Sequence, residues 1–589
     1  MSGARALTGA PTGGAASRSP WRGTSGGGPL AVGLGVILAV LVLVPLAFLG
    51  LASFKPTGFV TDPGFGIGNY IDIYSDTSTY GLIGTSLLFS TASTLLAVVM
   101  GLLLAWIIER TDVPARAILR VLVLLPMAIP PILLAIGWVL LLSPQIGVVN
   151  RLLVGSGLFP AAPLDVYSMP GMIAIQALSF VPSTFLILAP AFRNMDAALE
   201  EASFTSGAGT FHTVRRVSLP MLLPAIIAAA ALLWIIGLLV FDVPGIIGLP
   251  AGVRVFSVEV YFGTHPAAGV PNYGQVAALS VVFVVVTLIA SAFYLRATRN
   301  AARFTTISGR GYRPRPLRLG SWRYGALATV CVYLLLTAIA PILMLLWESF
   351  SPYYSSFLSL PLTSLTLKNF DVAMKDSGML SAAWHTTIVA GTAAVAVTIL
   401  SALLSWAVIR IRVPARQLLD TIAFLPLAIP ATMTAVALAV VYLSLRYIPI
   451  YGTVWILALA YLTIYLPFGT RTTNGVFIQI SRDLEDAAHV SGASHTTTLR
   501  TITVPLVLPS LLMVGIWVAV HAARDLAVPL MLQATGNTVL ATLVWTFWQA
   551  GMGTATAAVG VTLIAGAFVL VVGWQYLEHL REQRSFRSR

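Results

Sequence analysis

Leu199-Glu200-Glu201-Ala202-Ser203-Phe204-Thr205-Ser206-Gly207, followed by Val214-Arg215-Arg216-Val217-Ser218-Leu219-Pro220, recurs later in the chain. The second copy reads Leu484-Glu485-Asp486-Ala487-Ala488-His489-Val490-Ser491-Gly492, then Leu499-Arg500-Thr501-Ile502-Thr503-Val504-Pro505. The offset is a constant 285 residues, so Gly207 meets Gly492, Arg215 meets Arg500, Pro220 meets Pro505 and Pro224 meets Pro509. Each copy is a polar island between long apolar runs. Acidic residues open the first segment, where the positive end of a helix dipole favours them. The glycine falls where such a helix stops and reverses, because glycine takes positive φ without penalty. A second short helix is then expected, with Val214/Val217 and Leu499/Ile502 three apart on one face. Pro220 and Pro505 suit the first turn of the helix after that. Each island therefore reads as two short helices joined at a hinge glycine, beside a membrane.

Composition explains why a membrane is involved. Of 589 residues, 57% are hydrophobic and only 9% charged, which no soluble globular class matches. The single cysteine, Cys331, excludes an intrachain disulfide and a cysteine-based metal cluster. Apolar runs of roughly 20 residues, long enough for about 30 Å of hydrocarbon, fall near 30–53, 82–107, 118–142, 169–192, 221–241 and 275–296. A second set falls near 324–347, 384–409, 418–444, 453–475, 507–522 and 557–577. The expected fold is an all-α polytopic membrane protein of about twelve spans in two tandem six-helix halves. Proline interrupts some spans, which neighbouring helices in a bundle tolerate.

The halves repeat outside the islands too. Arg110-Thr111-Asp112-Val113-Pro114-Ala115-Arg116 echoes Arg410-Ile411-Arg412-Val413-Pro414-Ala415-Arg416, and Leu125-Pro126-Met127-Ala128-Ile129-Pro130 echoes Leu425-Pro426-Leu427-Ala428-Ile429-Pro430. Asn69 and Trp106 match Asn369 and Trp406. These pairs stand 300 apart, so the first half carries about 15 extra residues, placed most simply around 145–168. An even number of spans separates the copies, giving a parallel repeat about an axis along the membrane normal.

Basic residues set the orientation. With the N-terminus inside, all but seven of the 34 lysines and arginines lie on inner segments; Lys55, Arg151, Arg254, Lys368, Lys375, Arg446 and Arg524 fall outside. Both termini and both islands are then cytoplasmic. The domain reading is a disordered cytoplasmic tail over 1–28, membrane domains over 29–296 and 324–578, a basic cytoplasmic linker over 297–323, and a cytoplasmic tail over 579–589. The +13 net charge flanks spans, which suits anionic lipid headgroups and argues against nucleic acid.

The islands resemble the EAA loop of binding-protein-dependent ABC importer permeases. Glu201-Ala202 and Asp486-Ala487-Ala488 carry the acid and small residues, and the glycine and proline spacing is kept in both copies. Ser203 stands where the pattern has a second alanine. The linker and whole-chain layout resemble the fused two-domain iron(III)-type permeases. This resemblance implies MetI-like membrane domains and a bacterial inner-membrane location. It implies partnership with two ABC ATPase subunits and with an extracytoplasmic solute-binding protein. It also implies ATPase-coupling roles for Glu200, Glu201, Ala202, Gly207, Arg215 and Pro220, and for Glu485, Asp486, Ala487, Gly492, Arg500 and Pro505. Iron(III) is the expected solute by resemblance alone; thiamine, polyamines, sulfate and phosphonates use similar permeases.

No Gly-Lys dipeptide occurs, so no phosphate loop of the G-x-x-x-x-G-K-[ST] type is present and ATP hydrolysis is expected on a separate subunit. The seven histidines show no paired-ligand spacing, and no cofactor or metal site is expected. Charges near or inside spans are candidates for the translocation path. These are Asp242, Glu259, His385, His521, Arg524 and Asp525; interfacial snorkelling or structural pairing is the competing explanation. An ion-coupled secondary transporter is the rival function. It calls for buried carboxylates or broken helices in both halves, and position 527, aligned with Asp242, is alanine.

Overall fold

A computed structural model describes residues 27–569 except 196, 267, 302–316, 355–360, 377, 412, 446 and 482. Residues 1–26 of the tail expected over 1–28, most of the linker, Arg446, the end of the last span and the C-terminal tail lie outside the described residues, and residues 27 and 28 begin the first helix. Among the described residues the chain is helical, with one isolated β-bridge between Thr111 and Leu317. That bridge fastens the linker's end to the first half: Leu317 N–H donates to Arg110 O (2.8 Å), and Asp112 N–H donates to Leu317 O (3.1 Å).

Among the described residues nine helices are long and apolar enough to cross a membrane. The apolar helix Gly553–Val569 runs up to the end of the described chain. Two expected spans, 118–142 and 418–444, are not straight. Each is a bent pair: Arg116–Ala128 with Pro131–Leu142 at 94°, and Arg416–Leu427 with Ala431–Ser444 at 104°. The Leu-Pro-x-Ala-Ile-Pro repeat causes the bend. Its first four residues form a 3₁₀ turn, and Ile129 and Ile429 are extended, as the ring of a following proline requires. The nine helices, the two bent pairs and the shorter helix Gly553–Val569 fall on the twelve expected stretches; among the described residues eleven of these are long and apolar enough to cross a membrane when each bent pair counts as one span. The extra residues of the first half form the helix Val148–Gly155 and its loop. Asn150 fixes that loop, donating to Leu142 O, Ser143 O and Leu164 O while accepting from Leu164 N–H.

The first span of each half packs on the other half. Leu34, Leu38 and Val42 are buried against Leu400, Leu404 and Leu419, and Thr463 donates to Leu41 O (3.3 Å). Reciprocally, Val330, Tyr333 and Leu334 are buried against Leu104, Ile108 and Phe185. Such an exchange ties the halves by apolar surface that neither buries alone.

Four spans contain a π turn at a matched place: Ala39–Leu43, Val214–Ser218, Leu335–Ile339 and Leu499–Thr503. Each ends two residues before a proline, at 45, 220, 341 and 505. A proline ring in a continuing α-helix collides with the carbonyl four residues back; widening one turn makes room without breaking the helix. This corrects the expected two-helix island. Beyond the hinge glycine there is no separate short helix. The chain enters the membrane span directly, as Phe211–Gly237 and Leu499–Arg524.

Candidate functional site

The islands begin with the helices Ala197–Thr205 and Asp483–Val490. Both end at the predicted glycine, in the same way. Gly207 has φ +83° and Gly492 φ +86°. Ala208 N–H donates to Ser203 O (3.1 Å) and Ala493 N–H to Ala488 O (3.0 Å), the six-to-one bond of a Schellman cap. A Cβ at either glycine meets nothing within 4 Å, so backbone conformation alone demands glycine there.

The first acid of each island, half-buried at Glu200 and buried at Glu485, faces a membrane span. Glu200 forms an ion pair with Arg110, the last residue of the helix Thr77–Arg110, and accepts from Ser218 Oγ at 2.6 Å. Glu485 repeats this with Arg410 (Nε–Oε1 3.5 Å) and Thr503 Oγ1 (3.0 Å). Arg410 also donates to Ile480 O at 2.8 Å. The hydroxyls belong to the π turns, so each acid ties the island to the span before it and to the span after it. Arg110, Arg410, Ser218 and Thr503 were absent from the expected site. Their signal was available: each is an arginine or a hydroxyl repeated in both halves.

The next acids, Glu201 and Asp486, are exposed, as are Ala202, Ala487, Arg215, Arg500, Pro220 and Pro505. Large apolar side chains stand beside them: Phe211 is 79% and Val490 89% exposed. Exposed apolar groups rimmed by charge mark interaction surfaces.

The six charged or imidazole candidates for the path separate into two groups. Asp242, His521, Arg524 and Asp525 come together between the halves. His521 stacks on Trp517 (centroids 3.8 Å). Asp525 Oδ2 accepts from Tyr461 Oη and Val528 N–H, both at 3.1 Å. Arg524 reaches the other half, donating to Met127 O and, at 3.5 Å, to Ile129 O. Asp242 is buried beside Arg524 and Asp525, facing the amide of Ile132. Arg524 is half-buried, and its acceptors in the other half are backbone carbonyls.

Glu259 and His385 lie elsewhere. Glu259 pairs with Arg254 (3.4 Å) in a cavity of about 480 Å³ that also contains Asp72, Asp76 and Asn272. There the Ser78 hydroxyl and amide hold the Asp76 carboxyl below its usual range. His385 Nδ1 contacts Thr538 O at 3.0 Å, a structural tie that Thr85 makes to Arg254 O in the first half.

An aromatic cluster that sequence reading missed bridges the halves next to Asp242. Phe241 meets Trp545 edge-on (5.0 Å, 71°) and Tyr261 at 5.3 Å, and Trp545 Nε1 donates to Tyr261 Oη at 3.3 Å. Phe241 and Trp545 are fully or nearly fully buried. Phe241 follows the end of the span Phe211–Gly237, and Trp545 lies on the helix Leu540–Gln549 that follows the span Leu499–Arg524. Their partners lie about 285 residues apart and do not match each other in type, so repeat analysis passes over them. Among the described residues no group of three or more His, Cys, Asp or Glu is placed to hold a metal ion.

The family described as "Binding-protein-dependent transport system inner membrane component" matches residues 97–349 and 394–579. The chain is 26% identical over 435 residues to the "Probable ABC transporter permease protein y4fN" of Sinorhizobium fredii, covering 72% of this chain and 74% of that one. It is 26% identical to the ferric transport system permease protein of Actinobacillus pleuropneumoniae, over 73% of this chain and 61% of the other. It is 23% identical to an Fe(3+)-transport system permease protein of Haemophilus influenzae, over 79% and 83%. With the family matched in both halves over most of its length, this chain belongs to the inner membrane components of binding-protein-dependent transport systems.

Proposed function

We propose that this permease is the fused membrane subunit of an ATP-driven importer, both of whose islands dock separate ATPase subunits. The observation that carries the reading is the twice-built island. Arg110–Glu200–Ser218 and Arg410–Glu485–Thr503 anchor each island helix to two spans. A rigid helix fixed in this way passes a push from a partner into the bundle, where a loose loop absorbs it. Glu201, Asp486, Arg215, Arg500 and the exposed apolar residues face outward for that partner. Two ATPase copies follow from two islands. Both termini and the islands are cytoplasmic in this reading, and an extracytoplasmic binding protein delivers the solute to the opposite face. The domain limits are 29–296 and 324–578, with the first spans exchanged.

Iron(III) is the solute we infer, because the similar permeases from Actinobacillus and Haemophilus are named for ferric transport. Asp242, His521, Arg524 and Asp525 belong to the path in this reading, behind the plug of Phe241, Tyr261 and Trp545. Glu259 and His385 support the outer face.

The test is purification of the chain with its co-purifying proteins, followed by an ATPase assay in proteoliposomes. A bound ATPase that is lost on Gly207→Asp plus Gly492→Asp supports coupling through the islands. Solute movement by the chain alone under an ion gradient, without ATP, overturns it. Uptake of radiolabelled ferric iron against sulfate and thiamine decides the solute.

A further inference from the structure

The two halves are unequal at one point, and the inequality is chemically matched across the interface. The break in the first half reads Ile129-Pro130-Pro131; the break in the second reads Ile429-Pro430-Ala431. In a helix the Met127 carbonyl receives an N–H from residue 130 or 131. Both are proline here, so neither supplies one. Arg524, from the fifth span of the second half, fills that vacancy. In the second half Ala431 keeps its N–H, and the residue aligned with Arg524 is Leu239. An extra proline on one half thus goes with an extra arginine on the other.

The neighbourhood holds a second partner for the same guanidinium. Asp242 and Asp525 lie within its electrostatic reach. Among the described ion pairs none joins Arg524 to either carboxylate. Asp242 is 6% exposed, and its Oδ1 has no hydrogen-bond partner. A buried carboxylate oxygen left unpaired beside an arginine is costly. The cost falls if the arginine swings to it.

We propose that Arg524 is a one-sided latch between the halves. In the state described here it holds the Met127 and Ile129 carbonyls at the first half's break and keeps the path shut. When the halves part to pass solute, it releases those carbonyls and pairs with Asp242. Arg524 is a positioning residue in this account, and the pair is a two-state element of the kind that conformational switching requires. The inference rests on the importer reading above and adds the residue that sets its resting state.

The experiment uses the assembled transporter, with its ATPase and binding protein, in proteoliposomes. ATP hydrolysis is read with and without solute-loaded binding protein. Arg524→Leu is expected to raise the basal rate about tenfold, the order expected for losing a charged hydrogen bond from one of two states, and to flatten stimulation by the binding protein. Asp242→Asn is expected not to raise the basal rate, and to lower stimulated hydrolysis. Arg524→Lys retains part of the latch. If Arg524→Leu fails to fold, Arg524→Met, which keeps the length of the side chain without its charge, is read in its place and is expected to show the same raised basal rate. Unchanged stimulation in the uncharged Arg524 variants, or a basal rate raised by Asp242→Asn as by Arg524→Leu, overturns the latch. A wild-type complex without binding-protein-stimulated hydrolysis overturns the importer reading instead.

Discussion

Arg110 and Glu200 are ninety residues apart in sequence and form an ion pair beneath the first island, repeated by the more deeply buried Arg410 and Glu485 in the second. The acids of each island therefore divide their labour. The first holds the island to the bundle, and the second faces outward.

That division is measurable. Glu200→Ala and Glu485→Ala each leave a buried guanidinium without its partner, at a cost of about 3 kcal/mol or more. The Glu485 change is the larger, since Arg410 and Glu485 are 3% and 9% exposed against 8% and 16% for Arg110 and Glu200. Thermal unfolding in detergent reads this loss. Glu201→Ala and Asp486→Ala, at exposed positions, are expected to change stability by only about 0.5 kcal/mol while weakening retention of the ATPase in a pull-down. Equal destabilisation by all four substitutions contradicts the assignment.

Gly207 and Gly492 are required for conformation and not for space. Alanine at either position is expected to cost about 1–2 kcal/mol, the ordinary strain of an L-residue in the left-handed region. Asparagine costs less and a β-branched valine more. Uptake by the series Gly, Asn, Ala, Val should fall in that order. A valine variant as active as wild type removes the need for a Schellman turn.

Ala115 and Ala415 are the only described non-glycine residues with positive φ, both at +56°. Each precedes the first short helix of a bent segment. Replacing either by glycine relieves that strain and is expected to stabilise the protein by about 0.5–1 kcal/mol, after allowance for the more flexible unfolded chain. Differential scanning of the purified chain checks this: a lowered midpoint for both variants indicates that the alanine methyls contribute packing that outweighs the strain.

Trp545 ties Phe241 to Tyr261 across the halves. Trp545→Ala is expected to cost about 3–5 kcal/mol as a large-to-small core change and to open a leak. Efflux of a small dye from proteoliposomes, without ATP, measures the leak. Trp545→Phe keeps the plug in place and loses only the bond to Tyr261 Oη. A tight Trp545→Ala bundle shows that the path is closed elsewhere.

Much of this architecture is carried by the one-dimensional pattern. Apolar length placed the spans, because a bilayer imposes one thickness on every helix. The paired offsets of 285 and 300 placed the repeat and the extra residues around 145–168; that they form a helix, Val148–Gly155, came from the structure. Gly207 and Gly492 were readable because only glycine takes that turn without strain. Asn69 and Asn369 were readable as a match, and the structure supplies the reason. Each side chain donates to two backbone carbonyls at the end of the preceding span, Ser53 and Lys55 for one, Ser349 and Ser351 for the other.

Relations between distant segments were not readable. The prolines at 220 and 505 looked like helix starts; a π turn carries the helix past them, and whether a helix bends, breaks or widens at proline depends on what surrounds it. The acids of the islands all looked alike, and only packing decided that Glu200 and Glu485 turn inward. Nothing near Arg524 in the sequence pointed to its acceptors, which lie on the other half. What the sequence alone determined was set by local and periodic forces: bilayer length, backbone sterics, repetition. What the tertiary structure decided was which unsatisfied groups meet, and so why an arginine in one half and a proline pair in the other belong to the same contact.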